Sequence, residues 1–132
     1  MVRTSRSPAR KRLFHVEDSV DLRIRIEEEL ARLTCIELVG FSGRADDAIR
    51  QIRRLEPDLV VLDLQLAEGT GIDVLRNLSS ANQSPMFIVL TNHSDYRFRK
   101  LSLRAGAHQF FDKATQLEEF IEFLKRVESY AP

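Results

Sequence analysis

Residues 58–63 read DLVVLD, four apolar side chains in a row with an aspartate at either end. A strand on a sheet surface alternates apolar and polar positions. A strand covered on both faces has no reason to, so this run marks the centre of a mostly parallel sheet. Helices must then lie above and below it, and other strands beside it. The run also carries a carboxylate, Asp63, to the end of a buried strand, just before the loop AEGTG at 67–71. A solvated turn needs no such approach, whereas a site that must hold one carboxylate still does.

The rest of the chain supplies those partners. Short apolar segments at 12–16, 35–43, 85–91 and 107–113 read as four further strands. Helical stripes separate them. Leu22, Ile26, Leu30 and Leu33 follow a Ser19 cap, and Ala45, Ala48, Ile49, Ile52 and Leu55 run up to Pro57. Ile72, Val74, Leu75 and Leu78 make a third stripe; Phe98, Leu101 and Ala105, capped by Ser94, make a fourth. Thr115 and Glu118 match a capping box for a last helix carrying Leu117, Phe120, Ile121, Leu124 and Val127. Five strand–helix units with right-handed crossovers predict a doubly wound α/β fold. Its five-stranded parallel sheet has helices on both faces, a flavodoxin-like arrangement.

Composition removes several classes. No apolar run approaches the roughly 20 residues a membrane helix needs. The single cysteine, Cys35, builds neither a disulfide framework nor a zinc site and reads as a small apolar residue in a reducing cytoplasm. Net charge is zero, but Arg3, Arg6, Arg10, Lys11 and Arg12 crowd one end and leave 15 basic against 20 acidic groups elsewhere. Without interleaved aromatics, residues 1–11 read as a disordered basic arm, and no direct nucleic-acid contact is expected. The folded domain is expected over 12–130.

In an open parallel sheet, ligands bind beyond the carboxyl ends of the strands. The residues there are Glu17 and Asp18 after the first strand, Asp63 after the third, Thr91 after the fourth and Lys113 after the fifth. Crowded carboxylates repel unless a cation joins them, and hard oxygen donors suit Mg²⁺. Thr91 and Lys113 supply a hydroxyl and an ammonium for phosphoryl oxygens. There is no Ser–His–Asp pattern, and EGTG lacks the lysine and spacing of a phosphate-binding loop. Asp63 then reads as a nucleophile that accepts a phosphoryl group.

The segments FHVEDS, VVLDLQLAEGTGIDVL, VLTNHS and GAHQFFDK, with all five polar positions filled in order, resemble the signature regions of bacterial two-component response-regulator receiver domains. The resemblance spans about residues 12–129. It implies Asp63 as phosphoacceptor for a histidine kinase or phosphotransfer protein. It implies Mg²⁺ held by Asp18 and Asp63, by Glu17 through water and by the backbone carbonyl of Gln65. Thr91 and Lys113 would bind phosphoryl oxygens, and Phe110 would be the aromatic switch. Departures are visible too: Glu17 replaces a frequent aspartate, Ala67 and Ala114 replace frequent prolines, and Asn92 is bulkier than usual. Ala114 thereby removes the usual reason for a cis peptide after the lysine.

On this reading the protein is cytoplasmic and not an enzyme beyond its own phosphorylation and dephosphorylation. No output domain is visible in the sequence, so the message would pass by protein contact. Tyr96 and Leu103, off the apolar face of the fourth helix, are candidates for the surface that meets a downstream target or, transiently, a second copy. The competing expectation is a small Mg²⁺-dependent phosphatase or phosphotransferase with an aspartyl-phosphate intermediate. Such enzymes carry an acid two residues after the nucleophile, where this chain has Gln65.

Overall fold

A computed structural model describes residues 10–80 and 84–129. Five strands, β1 (Lys11–Val16), β2 (Ile36–Ser42), β3 (Leu59–Leu62), β4 (Met86–Thr91) and β5 (Gln109–Asp112), form one parallel sheet in the order β2-β1-β3-β4-β5. The helices are α1 (Val20–Leu30), α2 (Ala45–Leu55), α3 (Gly71–Leu78), α4 (Tyr96–Ala105) and α5 (Leu117–Ser129). This is the doubly wound fold that the run at 58–63 demands. All four residues of β3 are buried, between β1 and β4.

Successive residues of β1, β3, β4 and β5 feed two separate cores. Phe14, Val16, Val60, Leu62, Phe87, Val89 and Phe110 face α2, α3 and part of α4. Leu13, Leu59, Val61, Ile88, Leu90 and Phe111 face α1 and α5, where Ile26, Leu30, Phe120 and Leu124 complete the packing. The chain leaves β1 for β2 on one side and then crosses to β3 on the other. The carboxyl ends of β1 and β3 therefore flank the switch point where such sheets open a crevice. Gly71, the first residue of α3, is required there, because a Cβ on it would lie 2.3 Å from the carbonyl oxygen of Asp63. The glycine after the carboxylate lets α3 start directly against its backbone.

Several boundaries differ from the sequence reading. Residues 1–9 of the expected arm and residue 130 lie outside the described residues, but Lys11 is already in β1, its N–H bonded to the Cys35 carbonyl at 2.7 Å. Helix α1 stops at Leu30, three residues short of the buried Leu33. Asp95, not Ser94, caps α4, accepting from the amides of Arg97 and Phe98. The Thr115–Glu118 capping box does not form: α5 begins at Leu117, and the Thr115 amide bonds Asp112 instead. Among the described residues no helix is long and apolar enough to cross a membrane.

The phase of α4 also differs. Ser102 is the fully buried position, between half-buried Phe98 and Ala105, while Leu101 turns outward with 37% of its surface exposed. A tight approach explains the choice. Ser79 Oγ donates to the Ala105 carbonyl at 2.8 Å, and a Cβ on Gly106 would stand 2.3 Å from Ser79 Cβ, so small residues must face inward here. Among the described residues the buried Ser102 hydroxyl finds no hydrogen-bond partner. Ser102→Ala removes an unsatisfied group at almost no cost in packing. It should raise the stability to urea unfolding by about 1 kcal/mol, seen as a higher midpoint with an unchanged slope.

Candidate functional site

Backbone bonds tie the carboxyl end of β1 to those of β2 and β3, and the carboxyl end of β4 to that of β5, before any side chain is considered. The Asp63 amide donates to Val16 O at 3.0 Å, the Lys113 amide to Thr91 O at 2.9 Å, and the Glu17 amide to Ser42 O at 2.8 Å. Each polar residue therefore projects from a rigid strand end, not from a free loop.

Four of the five side chains meet in a buried cluster. Lys113 Nζ donates to Asp63 Oδ2 at 2.8 Å and to Glu17 Oε1 at 2.7 Å. The Thr91 hydroxyl donates to Asp63 Oδ1 at 2.6 Å, and the Gln65 amide reaches the same oxygen at 3.3 Å. Glu17 Oε2 accepts from the Ser19 amide at 3.1 Å, so α1 begins with its first turn tied to the site. Asp63, Glu17, Thr91 and Lys113 are all buried, whereas Asp18 stands exposed at the rim.

One ammonium thus balances two buried carboxylates, with a third beside them. Burial alone pulls the Lys113 pKa down, but its hydrogen bonds to Asp63 and Glu17 outweigh that and raise it above the ordinary 10.5. Among the described residues no three acidic, histidine or cysteine side chains converge as a ready-made ion cage. The donor chemistry nevertheless fits a hard divalent cation. Three carboxylates against one ammonium leave two negative charges uncompensated, and Mg²⁺ takes one or two carboxylates and keeps several waters.

The residues around the cluster connect it to the next elements. Ser94 Oγ donates to Asp112 Oδ2, and this bond, followed by the Ala114 amide, holds the Asp112 carboxyl below its usual range. Phe110 is buried, its ring 5.6 Å beneath the Arg99 guanidinium, which also donates to the Phe110 carbonyl. Tyr96 and Leu103 are 72% and 43% exposed on the outer side of α4. One contact was not foreseen from the sequence: the side chains of Gln65 and His93 hydrogen-bond to each other across two loops. No local pattern announces such a pair, since its partners are far apart in the chain.

A doubly wound α/β domain with a lysine-bridged acid pocket at the carboxyl edge of its sheet is the class that the fold and the site define. Comparison with known proteins makes it specific: the response regulator receiver domain model matches residues 13–125, and the chain belongs to that family. The chemotaxis protein CheY of Thermotoga maritima is 24% identical over 117 residues, 89% of this chain and 97% of that one. A protein-glutamate methylesterase/protein-glutamine glutaminase of Idiomarina loihiensis is 34% identical over 100 residues, 74% of this chain. The chain spans about a quarter to a third of the length of the first methylesterase relatives. Among solved structures, the receiver domain of a putative response regulator NarL from Mycobacterium tuberculosis superposes with a TM-score of 0.83 at 19% identity, covering 92% of this chain and 98% of that one.

Replacing Lys113 strands two carboxylates in a buried pocket. Lys113→Met should cost about 3–5 kcal/mol of unfolding free energy at neutral pH, with part recovered in the Lys113→Met/Glu17→Gln double variant. The sign of the pH dependence follows from the raised pKa. The lysine's contribution is complete below about 10.5, its unfolded value, and is lost as pH climbs through the higher folded value. Urea titrations from neutral to strongly alkaline pH should therefore show the gap between wild type and Lys113→Met shrinking only above that point.

Proposed function

We propose that this receiver domain takes a phosphoryl group from the phosphohistidine of a histidine kinase or phosphotransfer protein onto Asp63, and that the change is read by a partner protein. The single observation that carries the reading is the pairing at Asp63. One carboxylate oxygen is held by a hydroxyl and the other by an ammonium, each from a different strand. Hydrogen-bonded this way, the carboxylate is held in one orientation. The same two donors suit the negative oxygens of an arriving phosphoryl group, where charge accumulates during transfer.

In the transfer, an Asp63 oxygen forms a bond to phosphorus while the phosphorus–nitrogen bond of the donor breaks and its electron pair returns to the imidazole. Thr91 and Lys113 then exchange the carboxylate for phosphoryl oxygens. Asp18, Asp63 and the Gln65 carbonyl would hold Mg²⁺, with Glu17 acting through water. When bound, Mg²⁺ neutralises charge on the transferring group. Two structural neighbours lend weight by their own descriptions. One is the phosphorylated cyanobacterial phytochrome response regulator RcpA, 26% identical with a TM-score of 0.76; the other is the Mn²⁺-bound form of the response regulator Rcp1.

Drawing Thr91 and Lys113 toward a phosphoryl group alters the β4–α4 and β5–α5 loops, which Ser94 and Asp112 join. Phe110 beneath α4 is the packing element that would report it, and Tyr96 and Leu103 lie on the surface that would change. A downstream target or a second copy of the chain would bind there, in the cytoplasm. The phosphatase alternative draws no support, because Gln65 stands where its acid–base group would be.

Incubation with acetyl phosphate and Mg²⁺, followed by intact mass measurement, should show one added phosphoryl group on wild type and none on Asp63→Asn. An adduct that persists in Asp63→Asn would overturn the assignment.

A further inference from the structure

Two features of the sequence have no part in the buried cluster. One is the basic segment ahead of β1: residues 1–9, which lie outside the described residues, carry Arg3 and Arg6 and no acidic residue. The other is Glu118, whose expected capping box with Thr115 does not form. Its carboxylate makes no hydrogen bond or ion pair with any described residue.

Glu118 stands in a groove of about 520 Å³ between α1 and α5, lined by Glu29, Leu117, Glu118, Ile121, Glu122 and Lys125. Three carboxylates against one ammonium leave two negative charges uncompensated there. The pairs that its acids do make, Glu29 with Arg32 and Glu122 with Lys125, are exposed and 3.4 Å long, so they hold little. The carboxylates of α2 and of the α4 cap are better matched: Asp46 and Asp47 face Arg44 and Arg50, and Asp95 faces Arg97. The basic segment also starts within reach of the groove. Helices that connect parallel strands run back along them, so α1 and α5 end at the amino edge of the sheet. At that edge the Lys11 amide bonds the Cys35 carbonyl, and the Arg10 guanidinium donates to the Ile36 carbonyl at 3.4 Å. Nine extended residues span about 30 Å, more than the roughly 20 Å that a strand such as β1 covers.

We propose that residues 1–9 dock on their own domain in this groove, with the guanidinium groups of Arg3 and Arg6 against the carboxylates of Glu29, Glu118 and Glu122. Two positive charges then meet the two negative charges that the groove leaves over. Leu117 and Ile121 offer the aliphatic stems of the arginines an apolar floor. The contact is intramolecular, so a modest attraction suffices, because tethered groups meet at an effective concentration on the order of millimolar. The docked segment covers one flank of the acid cluster, since Leu117 also borders a cavity of about 250 Å³ that reaches Lys113. A protein that approaches the cluster along α1 and α5 must displace it first. The docking itself does not depend on Asp63 accepting a phosphoryl group.

The test compares backbone amide NMR spectra of the full chain with those of Arg3→Ser/Arg6→Ser. At about 0.01 M salt, where charges act over about 30 Å, the signals of Glu29, Glu118, Ile121 and Glu122 should differ between the two proteins, and those of Asp46 and Asp47 should not. At about 1 M salt, where that range falls to about 3 Å, the difference should vanish. Identical groove signals at low salt, or differences confined to another surface, would overturn the docking. Differences that grow with protein concentration would put the segment on a second copy and overturn docking within one chain. A second background, Glu118→Lys/Glu122→Lys, changes only exposed side chains of α5. There, Arg3→Ser/Arg6→Ser should leave the groove signals unmoved, whereas Arg3→Glu/Arg6→Glu should shift them again. Groove signals that still respond to the loss of the arginines, or that ignore the reversed charges, would overturn the pairing.

Discussion

The ammonium of Lys113 holds the site together. It bonds to Asp63 and Glu17, which lie 50 and 96 residues away in sequence, and joins three strand ends that would otherwise present only repelling carboxylates. Such a pair is weak evidence of stability for its own sake, since removing three charges from water is costly. Its consequence is positional. The ammonium can satisfy both acids only if β1, β3 and β5 end at the same level, and the parallel register of the sheet supplies that level.

Under the proposed function, the same arrangement would leave the site poised to change. Lys113 and Thr91 hold Asp63 by contacts that a phosphoryl group would redirect, because a dianion competes for the same donors more strongly than a carboxylate does. The connection onward is short. Thr91 receives the His93 amide, Ser94 bonds Asp112, and Asp95 caps α4. Helix α4 itself is lightly held: its fully buried side chain is a serine whose hydroxyl has no partner among the described residues, and Leu101, Leu103 and Tyr96 remain outside. A helix anchored so lightly would yield to modest forces from the loop before it, as the proposed switching requires.

How far the sequence could be read follows from how local each determinant is. The unbroken apolar run of β3 announced its own burial, and the order of strands and helices followed from it. Helix ends were harder. Leu30 and Leu33 are equally apolar, and hydrogen bonding alone decides where α1 stops. The phase of α4 was misread because Leu101 is the better apolar residue, but the close approach of Gly106 to Ser79 admits only small side chains. Asp63, Thr91 and Lys113 stood out as polar residues at strand ends. That Glu17 reaches Lys113, and Gln65 reaches His93, was not legible, because both contacts depend on side-chain direction after folding.

The most direct test of the central claim is a crystal structure with Mg²⁺ and beryllofluoride, a stable mimic of a bound phosphoryl group. The account predicts beryllium on an Asp63 oxygen, fluorines accepting from the Thr91 hydroxyl and the Lys113 ammonium, and Lys113 drawn off the Asp63 carboxylate. A mimic seated on another carboxylate, or an unmoved Lys113 still bridging Asp63 and Glu17 with the mimic bound, would contradict it.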